Sequence, residues 1–146
     1  MPRERSFVSR VVSALETTSK AELVFTARAM LLAPLVEGSL AWRGLDATLD
    51  GLERLSRNAH RREAAEGAAA ELAVARAFRL QPWLPGRCLP RALVRYALHR
   101  RDGVPARLVI GVRRPGEQAL DAHAWVEPPS PKEAAGYEPI LTREVR

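Results

Sequence analysis

The chain is poor in cysteine, lysine and aromatic residues, and it has no long uninterrupted apolar run. Its one cysteine cannot form a disulfide within the chain, which favours a reducing compartment. The most apolar stretch, residues 27–35, contains Arg28 and Pro34 and is too short to span a bilayer. The first residues lack the pattern of a secretory signal peptide. We therefore expect a cytoplasmic protein with no membrane partner.

Arginine dominates the charge of the sequence. The formal net charge is +6, and Lys20 and Lys132 are the only lysines. Arginine pairs occur at 61–62, 100–101 and 113–114, but aromatic residues do not interleave with them as a platform for single-stranded nucleic acid requires. A solvated basic surface is the better interpretation, and we expect no nucleic-acid partner. A docking surface for an acidic partner is the intermediate possibility.

Length and composition predict one domain over residues 1–146. A chain of 146 residues, 47% of them apolar, can bury one modest core but not two. Residues 81–86, with two prolines and a glycine, interrupt the helical pattern. We expect a helical part over residues 1–85 and a helix with a sheet over residues 86–146.

Apolar periodicity predicts three helices in the first part. Apolar residues recur at three- and four-residue spacing over residues 23–35, and Pro34 is expected to kink or end this helix. A leucine stripe over residues 45–55 follows Gly44 and predicts a second helix. Residues 61–78 are rich in alanine, which favours a helix and allows close helix packing.

The second part predicts a helix packed on an antiparallel sheet. The helix is expected from about Cys88 to Arg101, because Pro90 suits a first helical turn and residues 102–103 end the pattern. Alternating apolar residues predict three strands, over residues 107–112, 119–127 and 137–141. The predicted fold class is therefore α+β, with an N-terminal helical subdomain.

Cys88 and His123 carry the chemistry of a nucleophilic site. Cys88 opens the predicted helix, where the helix dipole and unpaired backbone N–H groups favour a thiolate and can stabilise an oxyanion. His123 follows 35 residues later on a predicted strand and can pair with the thiolate as an imidazolium. Together they provide the minimum for thiol-dependent acyl transfer.

Alternation divides the strand that carries the histidine into two faces. Leu120, Ala122, Ala124 and Val126 are expected to be buried, with Asp121, His123, Trp125 and Glu127 on the other face. For His123 to reach Cys88, its face must look toward the Cys88 helix. That orientation is an assumption of the hypothesis, because the sheet order does not follow from the sequence.

Each of these residues also has a simpler interpretation. A lone cysteine on an apolar helix is more often a small buried residue than a nucleophile, and His123 alone is more often structural. Trp125 is most simply a packing residue. Cys88, His60, His99 and His123 lack the paired short spacings of zinc sites, and no glycine-rich phosphate loop occurs. We therefore expect no metal and no cofactor.

Three short motifs follow one another in the second part, at residues 88–93 (Cys-Leu-Pro-Arg-Ala-Leu), 108–112 (Leu-Val-Ile-Gly-Val) and 122–127 (Ala-His-Ala-Trp-Val-Glu). Their residue types and spacing resemble the lasso-peptide biosynthesis B2 proteins, the leader-cleaving proteases that also form the transglutaminase-like domain of microcin-processing B proteins. The resemblance covers about 40 residues well. It implies a papain-like or transglutaminase-like core, in which the nucleophile helix packs on a small antiparallel sheet.

The resemblance also implies a function. A cysteine peptidase of this family would use Cys88 and His123, through an acyl-enzyme, to remove the leader from a ribosomally synthesised lasso precursor peptide. A separate ATP-dependent lasso cyclase would then close the ring. Because the chain is too short to hold a leader-binding domain as well, we expect a separate leader-recognition protein as a partner.

The acid of the family's triad is the one departure. The family usually has an aspartate after the histidine strand, but no aspartate follows His123 here. Glu133 lies closest to that position and is the predicted third catalytic residue, with a solvated loop carboxylate as the alternative interpretation. Asp121, two residues before His123, is the second candidate. Gln81, seven residues before Cys88, is a further hypothesis for an oxyanion donor.

Two other function hypotheses stay open. The missing aspartate is compatible with a catalytically impaired scaffold of the same fold that binds the precursor or its maturation partners. The charge of +6 is compatible with a basic adaptor for nucleic acid or an anionic membrane, whose binding would depend on salt. A Cys88→Ala variant separates the peptidase from both.

Overall fold

The computed structural model describes residues 20–55, 67–85, 87–114, 116, 120–127 and 134–144. Over these residues the chain forms three helices and then three strands. They are α1 (Lys20–Leu55), α2 (Gly67–Leu80), α3 (Cys88–Arg101), β1 (Arg107–Arg113), β2 (Asp121–Glu127) and β3 (Glu138–Glu144). The predicted α+β class, with helices before a small antiparallel sheet, is confirmed.

The long helix α1 breaks at Gly44 and not at Pro34. Gly44 has φ 78° and ψ −178°, a left-handed conformation that glycine adopts without steric cost, so the leucine stripe after it forms its own helical segment. Pro34 is expected to kink or end the first helix, and it does not end it, since the helix continues through it. Pro34 removes one backbone donor, but Ala33 and Val36 beside it are buried in the core and hold the segment in place.

α1 has an apolar outward face as well as a core face. The core face includes Phe25, Ala29, Ala33, Val36 and Leu49. The outward face includes Val24, Leu31, Leu35 and Trp42. As a result, residues 22–55 are long and apolar enough to cross a membrane by length and composition, since an 18-residue window within them has a mean hydropathy of 1.4. Charged residues interrupt this segment, so it contains no long uninterrupted apolar run. The core helix of a protein outside the membrane can meet the same criteria of length and hydropathy, so these criteria do not show that α1 lies in a membrane.

α3 is the central element of the fold. It packs on α1, α2, β1 and β2. Four of its large side chains, Leu93, Val94, Tyr96 and Leu98, have no exposed surface. α2 lies against both other helices and buries several small side chains, Ala70, Ala73 and Ala77, which allows a close approach. This packing fixes the position of α3 and therefore of Cys88 at its first residue.

The three strands form one antiparallel sheet in the order β2-β1-β3. Gly111 of β1 lies opposite His123 of β2. β3 pairs with the other side of β1, and its register shifts between Ile110 and Gly111. β1 is therefore central, and β2 has one edge that pairs with no other described strand.

One face of β2 follows the predicted alternation only in part. Ala124 and Val126 belong to the hydrophobic core, as predicted. Leu120 is 59% exposed and Ala122 is also exposed, so these two predicted core residues are not buried. Leu120 precedes the strand, and Ala122 is its second residue and lies beside Cys88 at the start of α3.

The opposite face of β2 is covered by aromatic packing. Trp125 is buried, although the alternation predicts an outward position. Its indole lies on Gly111 of β1, where an added Cβ would come within 2.7 Å of Cη2 and 3.0 Å of the Cβ of Tyr137. His123 shares this face, since its ring stacks on the Trp125 ring.

Candidate active site

Cys88 is the half-buried first residue of α3. The residue before it, Arg87, has an extended backbone and forms no side-chain cap, and the first turn of α3 contains no acidic residue. No side-chain cap or nearby carboxylate of this turn therefore offsets the positive end of the helix dipole. Backbone N–H groups in this arrangement can bind an oxyanion that forms beside the thiol.

Cys88 meets β2 at the unpaired edge of that strand. Its Sγ atom lies 4.0 Å from the carbonyl oxygen of Ala122, the residue directly before His123. The body of α3 packs on the face of β2 that carries Ala124 and Val126. The thiol of Cys88 reaches the strand from the start of the helix.

Cys88 and His123 nevertheless line the same cleft, which has a volume of about 330 Å³. Its other walls come from α2, α3 and β2, and they include Glu71, Val74, Arg91, Ala92, Arg95, Ala124 and Val126. The structure thus brings together two of the three residues that the sequence singles out for catalysis. The third, Glu133, lies outside the described residues.

Aromatic rings hold the imidazole of His123. Its centroid is 5.9 Å from the Trp125 ring, with the planes 22° apart, and 5.2 Å from the Tyr137 ring. Among the described residues, none forms a hydrogen bond with the His123 ring. Ring packing is therefore what orients the imidazole in this part of the chain.

Asp121 lies beside this cluster, but its carboxylate is bound by other residues. Tyr137 Oη donates a hydrogen bond of 2.8 Å to Oδ2, and Arg113 Nε donates one of 2.9 Å to the same oxygen. These bonds, that of Tyr137 first, lower the pKa of Asp121 below its ordinary value, and the carboxylate in turn raises the pKa of Tyr137. Asp121 is thus held as an anion that Tyr137 and Arg113 share.

The sequence did not identify Tyr137 or Arg113 as part of the site. Arg113 lies opposite Asp121 in the antiparallel register. The opposite charges of these two residues, on either side of the predicted turn, are a sequence signal for this pair. Its guanidinium also lies 4.6 Å from the centroid of the Tyr137 ring. For Tyr137 no sequence signal existed, because it reaches the site only through the pairing of β3 with β1.

Gln81 is not part of the cleft. Its side chain is 3% exposed, and Nε2 donates a hydrogen bond of 2.9 Å to the Met30 carbonyl of α1. The amide therefore ties the segment after α2 to α1. The structure gives no support to the hypothesis that Gln81 is an oxyanion donor.

The remaining acidic, histidine and cysteine side chains do not form a further cluster in the described ranges. Within them, no group of three or more such residues could hold a metal ion. His99 is buried in α3, where burial first and the Arg95 charge second lower its pKa to about 4. His99 is therefore neutral near pH 7, and it does not line the cleft.

Comparison with known proteins gives one match. Residues 29–142 match the model of a protein family described as the transglutaminase-like superfamily. This range covers most of α1, both later helices and the sheet up to the middle of β3. No curated protein and no solved structure matches the chain.

Proposed function

The chain belongs to the transglutaminase-like superfamily, and on that premise we propose that it is a cysteine peptidase that removes the leader from a lasso precursor peptide. The superfamily includes cysteine peptidases and acyltransferases. The observation that carries the proposal is the shared cleft of Cys88, at the N-terminus of a helix, and His123, on the neighbouring strand. The three motifs over residues 88–127 narrow the proposal from peptide cleavage to leader removal.

Acylation would begin at the Cys88 thiol. His123 accepts the thiol proton, and the sulfur forms a bond to the carbonyl carbon of the scissile amide. The negative charge on the carbonyl oxygen is stabilised by the N–H groups at the start of α3. The C–N bond then breaks as His123 returns the proton to the departing amine. The leader remains on Cys88 as a thioester.

Deacylation would reverse the roles with water. His123 accepts a proton from a water molecule, whose oxygen forms a bond to the thioester carbon. The C–S bond breaks, the leader leaves with a free carboxylate, and His123 returns a proton to the sulfur. Trp125 and Tyr137 keep the imidazole in place through both steps. We propose Glu133 as the third catalytic residue, which would fix the ring further.

The cleft suits part of a peptide. A volume of about 330 Å³ is at the small end of the range of ligand sites, and its lining alternates apolar with charged side chains. We propose that a separate leader-recognition protein delivers the precursor to this cleft in the cytoplasm, and that an ATP-dependent lasso cyclase takes the released core.

The test is cleavage of a precursor peptide encoded next to this chain, with and without its leader-recognition protein. Mass spectrometry should show the leader and the core as two products. Cys88→Ala and His123→Ala should each abolish both products, whereas His99→Gln, a histidine change outside the cleft, should leave them. Cleavage that persists in Cys88→Ala would refute a peptidase that works through this thiol.

One observation favours the scaffold as a second candidate function. Within the described residues, no side chain forms a hydrogen bond with His123, so the third member of a triad has not been located there. A scaffold would bind the precursor equally well as wild type and as Cys88→Ala, and neither protein would yield products. Calorimetry with the precursor alongside the cleavage assay distinguishes the two functions.

A further inference from the structure

The unpaired edge of β2 forms one wall of the cleft. The Ala122 carbonyl oxygen lies 4.0 Å from Cys88 Sγ, and we infer that it points to the side of β2 away from β1. Alternate residues of a strand direct their backbone groups to the same side, so the N–H and C=O groups of Ala124 and Val126 also point to this edge. Both residues line the cleft. An extended peptide can therefore add to β2 through main-chain hydrogen bonds.

The face of α3 that lines the cleft carries positive charge. Cys88, Arg91 and Arg95 follow at spacings of three and four residues and therefore lie on one side of the helix. Arg95 forms an ion pair of 3.6 Å with Glu71 of α2, which also lines the cleft. The Arg95 charge is therefore largely compensated inside the cleft.

Arg91 is in a different position. Its guanidinium lies over the Phe78 ring, 5.4 Å from the centroid, which fixes the side chain on the cleft wall. No carboxylate of the described residues forms an ion pair with Arg91. This cation is thus placed to meet a carboxylate that enters the cleft.

The distance between Arg91 and Cys88 limits the position that the acidic residue can have in the peptide relative to the scissile bond. A helix rises about 1.5 Å per residue, so Arg91 lies about 4.5 Å farther along α3 than Cys88. An extended peptide advances about 3.3 Å per residue. With the length of two side chains added, a carboxylate bound by Arg91 belongs to a residue within about three positions of the scissile bond.

We propose that Arg91 is a specificity-determining residue and that the cleft selects an extended peptide with an acidic side chain within about three residues of the scissile bond. The peptide backbone pairs with the edge of β2 at Ala124 and Val126, and its carboxylate binds the Arg91 guanidinium. This proposal rests on the proposed peptidase function and states which feature of the substrate the cleft recognises. Arg91 is exposed to solvent, so a charged hydrogen bond to it changes affinity by up to about tenfold.

The test uses the Cys88→Ala protein, so that binding is measured without turnover. The probes are fluorescein-labelled ten-residue peptides in which a single glutamate is moved along the chain, each paired with the same peptide carrying glutamine. We expect one position at which glutamate strengthens binding about tenfold. Arg91→Ala should remove that preference, and Arg91→Glu should reverse it, so that glutamine binds better than glutamate at that position.

The matched control is Arg101→Glu, which makes the same charge change at the exposed far end of α3, outside the cleft. It should keep the glutamate preference. In ¹H–¹⁵N spectra the amide signals of Ala124 and Val126 should shift on binding and become protected from hydrogen exchange. Thermal melts of every variant show that the fold is retained.

Three results would overturn the proposal: equal affinity for glutamate and glutamine peptides at every position, an unchanged preference in Arg91→Ala, or no binding at peptide concentrations up to about 1 mM. None of them affects the peptidase proposal, because that one fails separately, when wild-type protein shows no Cys88-dependent cleavage of the precursor.

Discussion

The hydroxyl of Tyr137 donates a hydrogen bond of 2.8 Å to the carboxylate of Asp121, while the ring of Tyr137 packs against the imidazole of His123. Tyr137, the residue before β3, therefore contacts both Asp121 and His123. Arg113 donates to the same oxygen, and no hydrogen bond among the described residues joins Asp121 to the imidazole. Asp121 and His123 thus contact the same tyrosine, one at its hydroxyl and the other at its ring.

The Asp121→Asn substitution tests this arrangement. The amide can still accept the two hydrogen bonds, but it has no charge. The pKa of Tyr137, which the carboxylate raises, should fall toward its ordinary value. Absorbance titration at alkaline pH measures this directly in a Tyr96→Phe background, since the chain has only two tyrosines.

The rate of precursor cleavage gives the second readout for Asp121. We expect Asp121→Asn to lower kcat/KM less than about tenfold, because ring packing of His123 survives the change. A loss of about 10⁴, as seen when the acid of a catalytic triad is removed, would instead identify Asp121 as the direct partner of the imidazole. Tyr137→Phe, which loses only the hydroxyl, should resemble Asp121→Asn.

Gly111→Ala should disturb the site through packing. The new Cβ would lie 2.7 Å from Cη2 of Trp125, closer than carbon atoms approach without displacement. The indole must move, so we expect a loss of about 1–3 kcal/mol in the free energy of unfolding and a reduced cleavage rate. Gly51→Ala is the matched control, because its Cβ meets nothing within 4 Å in α1. That change should stabilise the protein by about 0.5–1 kcal/mol, and equal effects of the two variants would contradict the packing argument.

Alkylation of Cys88 should depend on His123. A neighbouring imidazole can accept the thiol proton as the sulfur reacts, so His123 can raise the rate of reaction with iodoacetamide about tenfold over that of a free thiol. His123→Ala should remove that gain, whereas His99→Gln should keep it, since His99 lies outside the cleft. The single cysteine makes the labelling rate, followed by mass spectrometry, unambiguous. A wild-type rate equal to that of a free thiol would favour the scaffold function.

The stability of the fold should fall in mild acid because of His99. Burial lowers its pKa to about 4, while in the unfolded chain the pKa is near its ordinary value of 6.5. As the pH falls below 6.5, the unfolded chain binds a proton that the folded chain excludes, so the free energy of unfolding decreases until the pH reaches about 4. At pH 5 the decrease is on the order of 2 kcal/mol.

Denaturant unfolding of wild type and His99→Gln between pH 7.5 and 5 isolates this contribution. The variant lacks the titrating group, so its stability should depend less on pH than that of wild type, by the same 2 kcal/mol or so at pH 5. Parallel curves for the two proteins would show that His99 does not couple folding to protonation.

Several features of the fold followed from local sequence patterns. The leucine stripe after Gly44 forms a separate helical segment, and Cys88 begins a helix, as predicted. The effect of Pro34 does not follow from a local pattern, because it depends on neighbours that the core holds in place. The burial of Trp125 does not follow from one either, since alternation along a strand does not reveal that Gly111 on the next strand leaves space for an indole.

The sequence alone determined which residues can do the chemistry, a thiol at a helix start and an imidazole on a strand, because helix starts, strand periodicity and motif order are local properties of the chain. Only the tertiary structure decided how they meet. The packing of α3 on one face of β2 brings Cys88 to the edge of that strand, and the pairing of β3 with β1 brings Tyr137 to His123 and Asp121. These contacts join residues far apart in sequence, so they depend on which surfaces the core buries together, which no local pattern records.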